Sequence, residues 1–145
     1  MLKDVRIMTK EDVVRNLSLM EYYKEQLDSL NVQMQYMQAA LVEYHKAKMT
    51  IERLHESGEK SEILIPIGGG TFIDGSIRDV SKVLVDIGAG VVAEKSVEDA
   101  IEKIDERIKK LEGSYERALS TAQKLQMEIS ELYRKTQKLM EEIKE

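Results

Sequence analysis

Two histidines, a run of three glycines and several close carboxylate and lysine groups are the residues of this 145-residue chain whose types could do chemistry. His45 and His55 stand ten residues apart. Two ligands share a helix face at a spacing of three or four, so no metal site is expected from this pair. The chain has no cysteine, which removes disulfides, thiolate nucleophiles and Cys-ligated zinc together. Gly68-Gly69-Gly70 has the composition of a phosphate loop, but no Lys-Ser or Lys-Thr pair follows, and the next residues read as a strand instead of a helix N-terminus. A turn is the simpler reading. A Ser-His-Asp arrangement needs a concave pocket, which two extended helices do not make. Glu102, Asp105, Glu106, Lys109 and Lys110 read as a solvated helix face with ion pairs three and four residues apart. The expectation is therefore no catalytic residue, no cofactor and no metal.

Charge and composition narrow the partners. The formal net charge is -5, so no basic excess exists to neutralise a phosphate backbone or an anionic membrane, and neither nucleic acid nor membrane is expected as a partner. Residues 1–10 mix charged and apolar types without the uninterrupted apolar stretch of a signal peptide. No apolar run approaches the roughly 20 residues of a spanning helix, and the chain reads as soluble and cytoplasmic. With 34% charged residues, one Phe, no Trp and one Pro, the composition suits long helices.

The elements that would position any functional side chain fall into three segments. From Thr9 to Ser57 no Gly or Pro occurs, and Gly58 stands where a helix commonly ends. Thr9 with Asp12 three residues on reads as an N-cap and an acidic partner. Val13, Met20, Leu27, Met34 and Leu41 recur every seven residues, with Tyr23, Leu30, Met37, Tyr44 and Ile51 as the second row of a coiled-coil seam. Asn16, Lys48 and His55 are polar seam positions that set register or partner choice. A second helix, capped by Ser96, carries a seam of Val97, Ile101, Ile104, Ile108, Leu111, Tyr115, Ala118, Ala122, Leu125, Ile129, Leu132, Thr136, Leu139 and Ile143. Each helix is about 70 Å long at 1.5 Å per residue. The link between them is too short to return the chain for parallel pairing, which predicts an antiparallel hairpin with both termini at one distal end.

Between the helices the grammar becomes β. Residues 62–67, 71–77, 82–87 and 91–93 read as short strands forming two hairpins, with Asp74-Gly75 as a turn pair and Pro66 at an edge or bulge. Isolated hairpins are marginal in water and their edges are open to pairing. Another chain's strands are the expected cover, through Ile63, Leu64, Ile65, Ile67, Phe72, Ile73, Val83, Leu84, Val85, Ile87, Val91 and Val92. The fold class is α+β: a long antiparallel coiled-coil hairpin joined by two β-hairpins that form an oligomerisation platform. The whole chain, 1–145, reads as one domain, divided into a tip segment 1–8, a first helix 9–57, hairpins 59–95 and a second helix 96–144.

At the distal end the hairpin gathers Leu2, Val5, Ile7, Met8, Val13, Val14, Leu17, Leu139, Met140 and Ile143. Val13, Leu139 and Ile143 close the seam on the simpler account. Val14, Leu17 and Met140 flank it, and the residues before Thr9 precede the cap, leaving apolar surface that marks a binding site or an aggregation hazard. Methionine adds adaptability to such a surface.

The block ILIPIGGGTFIDGSIRDVSKVLVDIGAGVVAEKSVEDAIE, residues 63–102, flanked by two matched helices, resembles the alpha subunits of the prefoldin family. The paired hairpins point to the alpha class. The resemblance implies a hexamer of two alpha and four beta subunits, with a double β-barrel platform and six coiled-coil arms. It further implies ATP-independent capture of unfolded proteins at the arm tips and delivery to a group II chaperonin. The residues before Thr9 extend beyond the family pattern. A structural coiled-coil or filament protein that binds no clients is the alternative with the same fold.

Overall fold

The computed structural model describes the backbone of residues 2–58 and 62–144 and the side chains of 9–58 and 62–144. The element order is α1 (Leu2–Ser57), β1 (Glu62–Gly68), β2 (Thr71–Ser76), β3 (Lys82–Gly88), β4 (Val91–Ser96) and α2 (Val97–Lys144). Two long helices and two antiparallel hairpins make up the expected architecture. Contacts divide the chain into two compact units. One comprises residues 1–38 with 113–145, and the other residues 39–112.

The first helix starts earlier than its sequence signals indicate. It runs from Leu2, so Thr9 lies inside it and is not its N-cap. Nothing before Thr9 breaks a helix, since Leu2 to Met8 contains neither Gly nor Pro. Asp12 makes an ion pair with Arg15 at 3.0 Å along the helix surface instead of serving a cap. The second start is as expected: the Asp99 amide donates to Ser96 Oγ at 3.2 Å, which satisfies one of the free N–H groups of the first turn.

Both seams are realised. All fourteen predicted α2 positions, from Val97 to Ile143, are buried or half-buried, and the α1 rows from Val13 to Ile51 likewise turn inward. In the first unit Met34 packs with Ala118 and Ala122, joined by Leu27, Leu30 and Tyr115. The amide of Gln38 donates to the Tyr115 hydroxyl at 2.9 Å. Stepping back along α1 from Gln38 to Met34 thus steps forward along α2 from Tyr115 to Ala118 and Ala122, which makes this pairing antiparallel. In the second unit Lys48 Nζ lies 2.9 Å from Asp105 Oδ1, so the end of α1 lies beside the start of α2. His55 departs from the predicted seam. It is exposed, and Leu54 is half-buried in its place. The inward positions run Tyr44, Lys48, Ile51 and Leu54, so the step after Ile51 is three residues in place of the four that would reach His55.

The hairpins are two-stranded sheets, β1 with β2 and β3 with β4. Their registers are the same twenty residues apart: Glu62 faces Ser76 and Lys82 faces Ser96, and each ladder shifts once, at Pro66/Gly68 and at Asp86/Gly88. The segment is an internal repeat in structure. Pro66 sits at the irregularity, where its missing N–H costs the ladder least. Asp74-Gly75 is not a turn. Both residues lie in β2 opposite Leu64 and Ile63, and the chain reverses at the glycines after Ile67. A Cβ on Gly75 would stand 2.8 Å from Ile65 Cδ1, so close cross-strand approach explains the glycine. Glu59, where the hairpin segment was expected to begin, lies outside the described residues.

Candidate functional site

The surfaces with functional potential are apolar, and the elements that expose them differ in kind. In a two-stranded antiparallel sheet, directly paired residues share a face. One face of the first hairpin carries Ile63, Ile65, Ile73 and Gly75, and the other carries Leu64, Pro66, Phe72 and Asp74. Ile63 and Gly75 are half-buried, while the other six are exposed. In the second hairpin one face holds Val83, Val85 and Ala93, and the other Leu84, Asp86, Val92 and Glu94. Here the first face is turned inward: Val85 is 9% exposed, against 74% for Leu84 on the opposite face.

Several hydrogen bonds fix the second hairpin at its ends. The Val97 amide donates to the Ser81 carbonyl at 3.1 Å. Arg107 donates from its guanidinium to the Asp86 carbonyl at 2.8 Å, tying the end of β3 to the third turn of α2. Asp86 also accepts from the Gly88 amide at 2.8 Å, which satisfies a donor at the bulge. Before β3, Asp79 Oδ1 accepts from the Ser81 hydroxyl at 2.5 Å and the Ser81 amide at 2.9 Å. These bonds, that from the hydroxyl most, hold the Asp79 carboxyl below its usual value. Lys48 is held above the usual lysine value by its bond to Asp105.

Of the residues predicted for assembly, Leu64, Ile65, Ile67, Phe72, Ile73, Leu84, Ile87, Val91 and Val92 are exposed on the chain. Ile63 and Val83 are half-buried, and Val85 is buried within the chain itself. Val85 is therefore covered within its own chain, where another chain's strands were the expected cover. The Arg107–Asp86 bond ties this hairpin to α2.

At the other unit, Val14 and Leu17 are exposed, as is Met140. Val13 is buried, and Leu139 and Ile143 are half-buried in the seam. The side chains of Leu2, Val5, Ile7 and Met8 lie outside the described residues. Sequence reasoning named Met140 but missed Leu119 and Tyr133, which continue its stripe along α2. Leu119, Tyr133 and Met140 are exposed one position beyond the seam residues Ala118, Leu132 and Leu139. Their spacing in multiples of seven was the available signal. Met127, 71% exposed, lies beside them in an open groove with Gln123, Gln126, Ser130, Glu131 and Arg134.

Among the described residues no cluster of His, Cys, Asp and Glu is arranged to hold a metal ion, and both histidines are exposed. No helix among them is long and apolar enough to cross a membrane. What the arrangement offers is apolar contact area in two places: paired strand edges in one unit and a flank of the helix pair in the other.

Known proteins share this arrangement. The family model described as prefoldin subunit matches residues 23–142. Prefoldin subunit alpha of Archaeoglobus fulgidus is 31% identical over 129 residues, covering 84% of this chain and 94% of that protein. Prefoldin subunit alpha of Pyrococcus horikoshii is 30% identical over 103 residues, 70% of each chain. Among solved structures, the filamentous PFD from Methanocaldococcus jannaschii superimposes with a TM-score of 0.59 at 27% identity, over 85% of this chain and 96% of that one. The prefoldin beta subunit from Thermococcus strain KS-1 has the same fold, with a TM-score of 0.60 over 87% of this chain and 90% of that one, at 21% identity.

Proposed function

The chain belongs to the prefoldin family and is a chaperone subunit of the alpha type; from that premise we propose that it acts as an ATP-independent holdase in the cytoplasm. It captures unfolded proteins at the tips of its helix pair, prevents their aggregation and passes them to a group II chaperonin. It has no enzymatic activity and uses no cofactor. Two copies assemble with four prefoldin beta subunits through the exposed strands of the two hairpins.

The observation that carries this reading is the position of the exposed apolar side chains. Nine lie on the hairpins, where unpaired edges call for strands from other subunits. Val14 and Leu17 near the start of α1 and Met140 near the end of α2 lie outside the seam. Client capture proceeds by many weak contacts. Burying roughly 200 Å² of apolar surface per tip contributes about 5 kcal/mol at 25 cal/mol per Å², before ordering costs. Several tips acting on one client raise the affinity through effective concentration.

The test removes residues before Thr9 and after Thr136 in the full complex. Assembly stays intact, as judged by native mass, and suppression of client aggregation weakens. Trimmed arms that protect as well as complete ones would remove the tip from the mechanism.

A second reading follows from the likeness to the filamentous PFD of Methanocaldococcus jannaschii: this chain's exposed hairpins pair with further copies of itself and build an open-ended filament. Native mass of the purified chain, with and without a beta subunit, separates the two. A closed heterohexamer supports the first reading, and a length-dispersed homopolymer supports the second.

A further inference from the structure

All the sulfur of this chain is in methionine, since it has eight Met and no Cys. The helices divide these residues by exposure. Met20 and Met34 are 6% and 8% exposed in the α1 seam, whereas Met127 and Met140 of α2 are 71% and 41% exposed. Met49 of α1 is exposed as well.

The surroundings of the exposed sulfurs differ. Outside its seam, α2 has two flanks at helical spacing, both exposed. One carries Lys124, Glu128, Glu131, Lys135, Lys138 and Glu142. The other carries Gln123, Gln126, Ser130, Tyr133, Gln137 and Met140, with no charge among them. Met127 lies between the flanks, in the open groove with Gln123, Gln126, Ser130, Glu131 and Arg134. Met49, by contrast, has His45, Lys46, Glu52 and Arg53 three and four residues away, so its neighbours on the helix surface are already polar.

We propose that Met127 and Met140 are modification sites at which a peroxide turns the uncharged flank of α2 from apolar to polar. The thioether sulfur attacks the O–O bond of hydrogen peroxide. An S–O bond forms, the O–O bond breaks, the sulfur is oxidised by two electrons and the peroxide is reduced to water. The product, methionine sulfoxide, replaces a flexible apolar side chain with a polar one. At Met127 the Ser130 hydroxyl, the amides of Gln123 and Gln126 and the Arg134 guanidinium line the same groove and are donors suited to the new oxygen. Packing shields Met20 and Met34, so the seam stays closed while the flank changes. Oxidation of Met49 adds one polar group to a polar surface. That the change weakens client capture rests on the function proposed above; the selectivity of the oxidation does not.

The test treats the reconstituted complex with hydrogen peroxide and follows each methionine of this chain by peptide mass spectrometry. Aggregation suppression and thermal melting are measured on the same samples. Met127 and Met140 oxidise about tenfold faster than Met20 and Met34, which react only after local opening. Suppression falls in step with them, and the melting midpoint stays unchanged. The variant Met127→Leu/Met140→Leu keeps its suppression after the same treatment, and Met49→Leu does not. Seam methionines that oxidise as fast as Met127, or a double variant that loses suppression as the natural chain does, overturn the proposal. A complex that suppresses no aggregation even before peroxide removes the proposed function instead. The modification sites then stand if peroxide lowers binding of the apolar dye anilinonaphthalene sulfonate in the natural complex and not in the double variant, and fall if both lose it equally.

Discussion

The two hairpins share one register and one bulge position, yet β1 and β2 present open faces on both sides, while β3 and β4 turn one face inward. Ile65 and Val85 are equivalent residues of the repeat, at 44% and 9% exposure. Beyond the shared ladder, the second hairpin is tied to α2 by the Arg107 guanidinium, which donates to the Asp86 carbonyl at the end of β3. A repeated sequence unit thus yields one anchored hairpin and one with more free surface. In the assembly proposed above, the first hairpin is covered chiefly by partner strands, and the second is partly covered by its own chain.

The largest effect expected from breaking this asymmetry is at Val85. Val85→Ala leaves a void in the anchored hairpin and lowers the stability of the complex by about 2 kcal/mol, read from urea midpoints. Ile65→Ala acts on assembly, raising the subunit concentration at which the complex dissociates. Equal effects of the two variants on both readouts would dissolve the distinction between the hairpins.

Gly75→Val comes next. Its side chain meets Ile65 in the first hairpin and costs about 1–2 kcal/mol through strain. The equivalent residue of the second hairpin is Lys95, which already carries a side chain, so Lys95→Val is tolerated. Thermal melts of the two variants provide the comparison. A Gly75→Val chain as stable as the natural one would show that Ile65 rotates away freely.

A smaller effect distinguishes the turns. Ala89 has φ 52° where the first hairpin has Gly69 at φ 58°. Ala89→Gly relieves a left-handed alanine, and Gly69→Ala introduces one, with shifts of opposite sign of up to about 1 kcal/mol. Shifts of the same sign would mean that unfolded-chain entropy outweighs the turn geometry.

The smallest effect is electrostatic. The Ser81 hydroxyl and amide hold the Asp79 carboxyl below its ordinary value of 3.8, so its contribution is present above that pH and is lost as pH falls through the lowered folded value. Asp79 braces the approach to β3, so the loss falls on the anchored hairpin. Asp79→Asn flattens the acid limb of a stability–pH curve monitored by circular dichroism. A variant curve parallel to the natural one would remove Asp79 from that bracing.

Much of this was legible in residues. The seam of α2 was readable to its last member because a helix exposes its periodicity locally. The bulge at Pro66 followed from a missing N–H. Two errors came from signals with two meanings. Thr9 and Asp12 have the chemistry of a cap, but a cap forms only where the helix stops, and the preceding residues continue it. Asp74-Gly75 has the chemistry of a turn, but Gly75 serves the close approach of Ile65. The twenty-residue repeat was present in the letters, in the shared Leu64 and Leu84, Ile67 and Ile87, and Ser76 and Ser96.

By itself, the sequence determined the two helices, their apolar seams, the two hairpins and the presence of more apolar strand surface than one chain hides. These depend on spacing along the chain and on each residue's own conformational preferences. Only the tertiary structure decided that Val85 is covered and Ile65 is not, and that Leu54 replaces His55 in the seam. Those outcomes depend on which distant segments come together, a property of register and docking that local pattern does not encode.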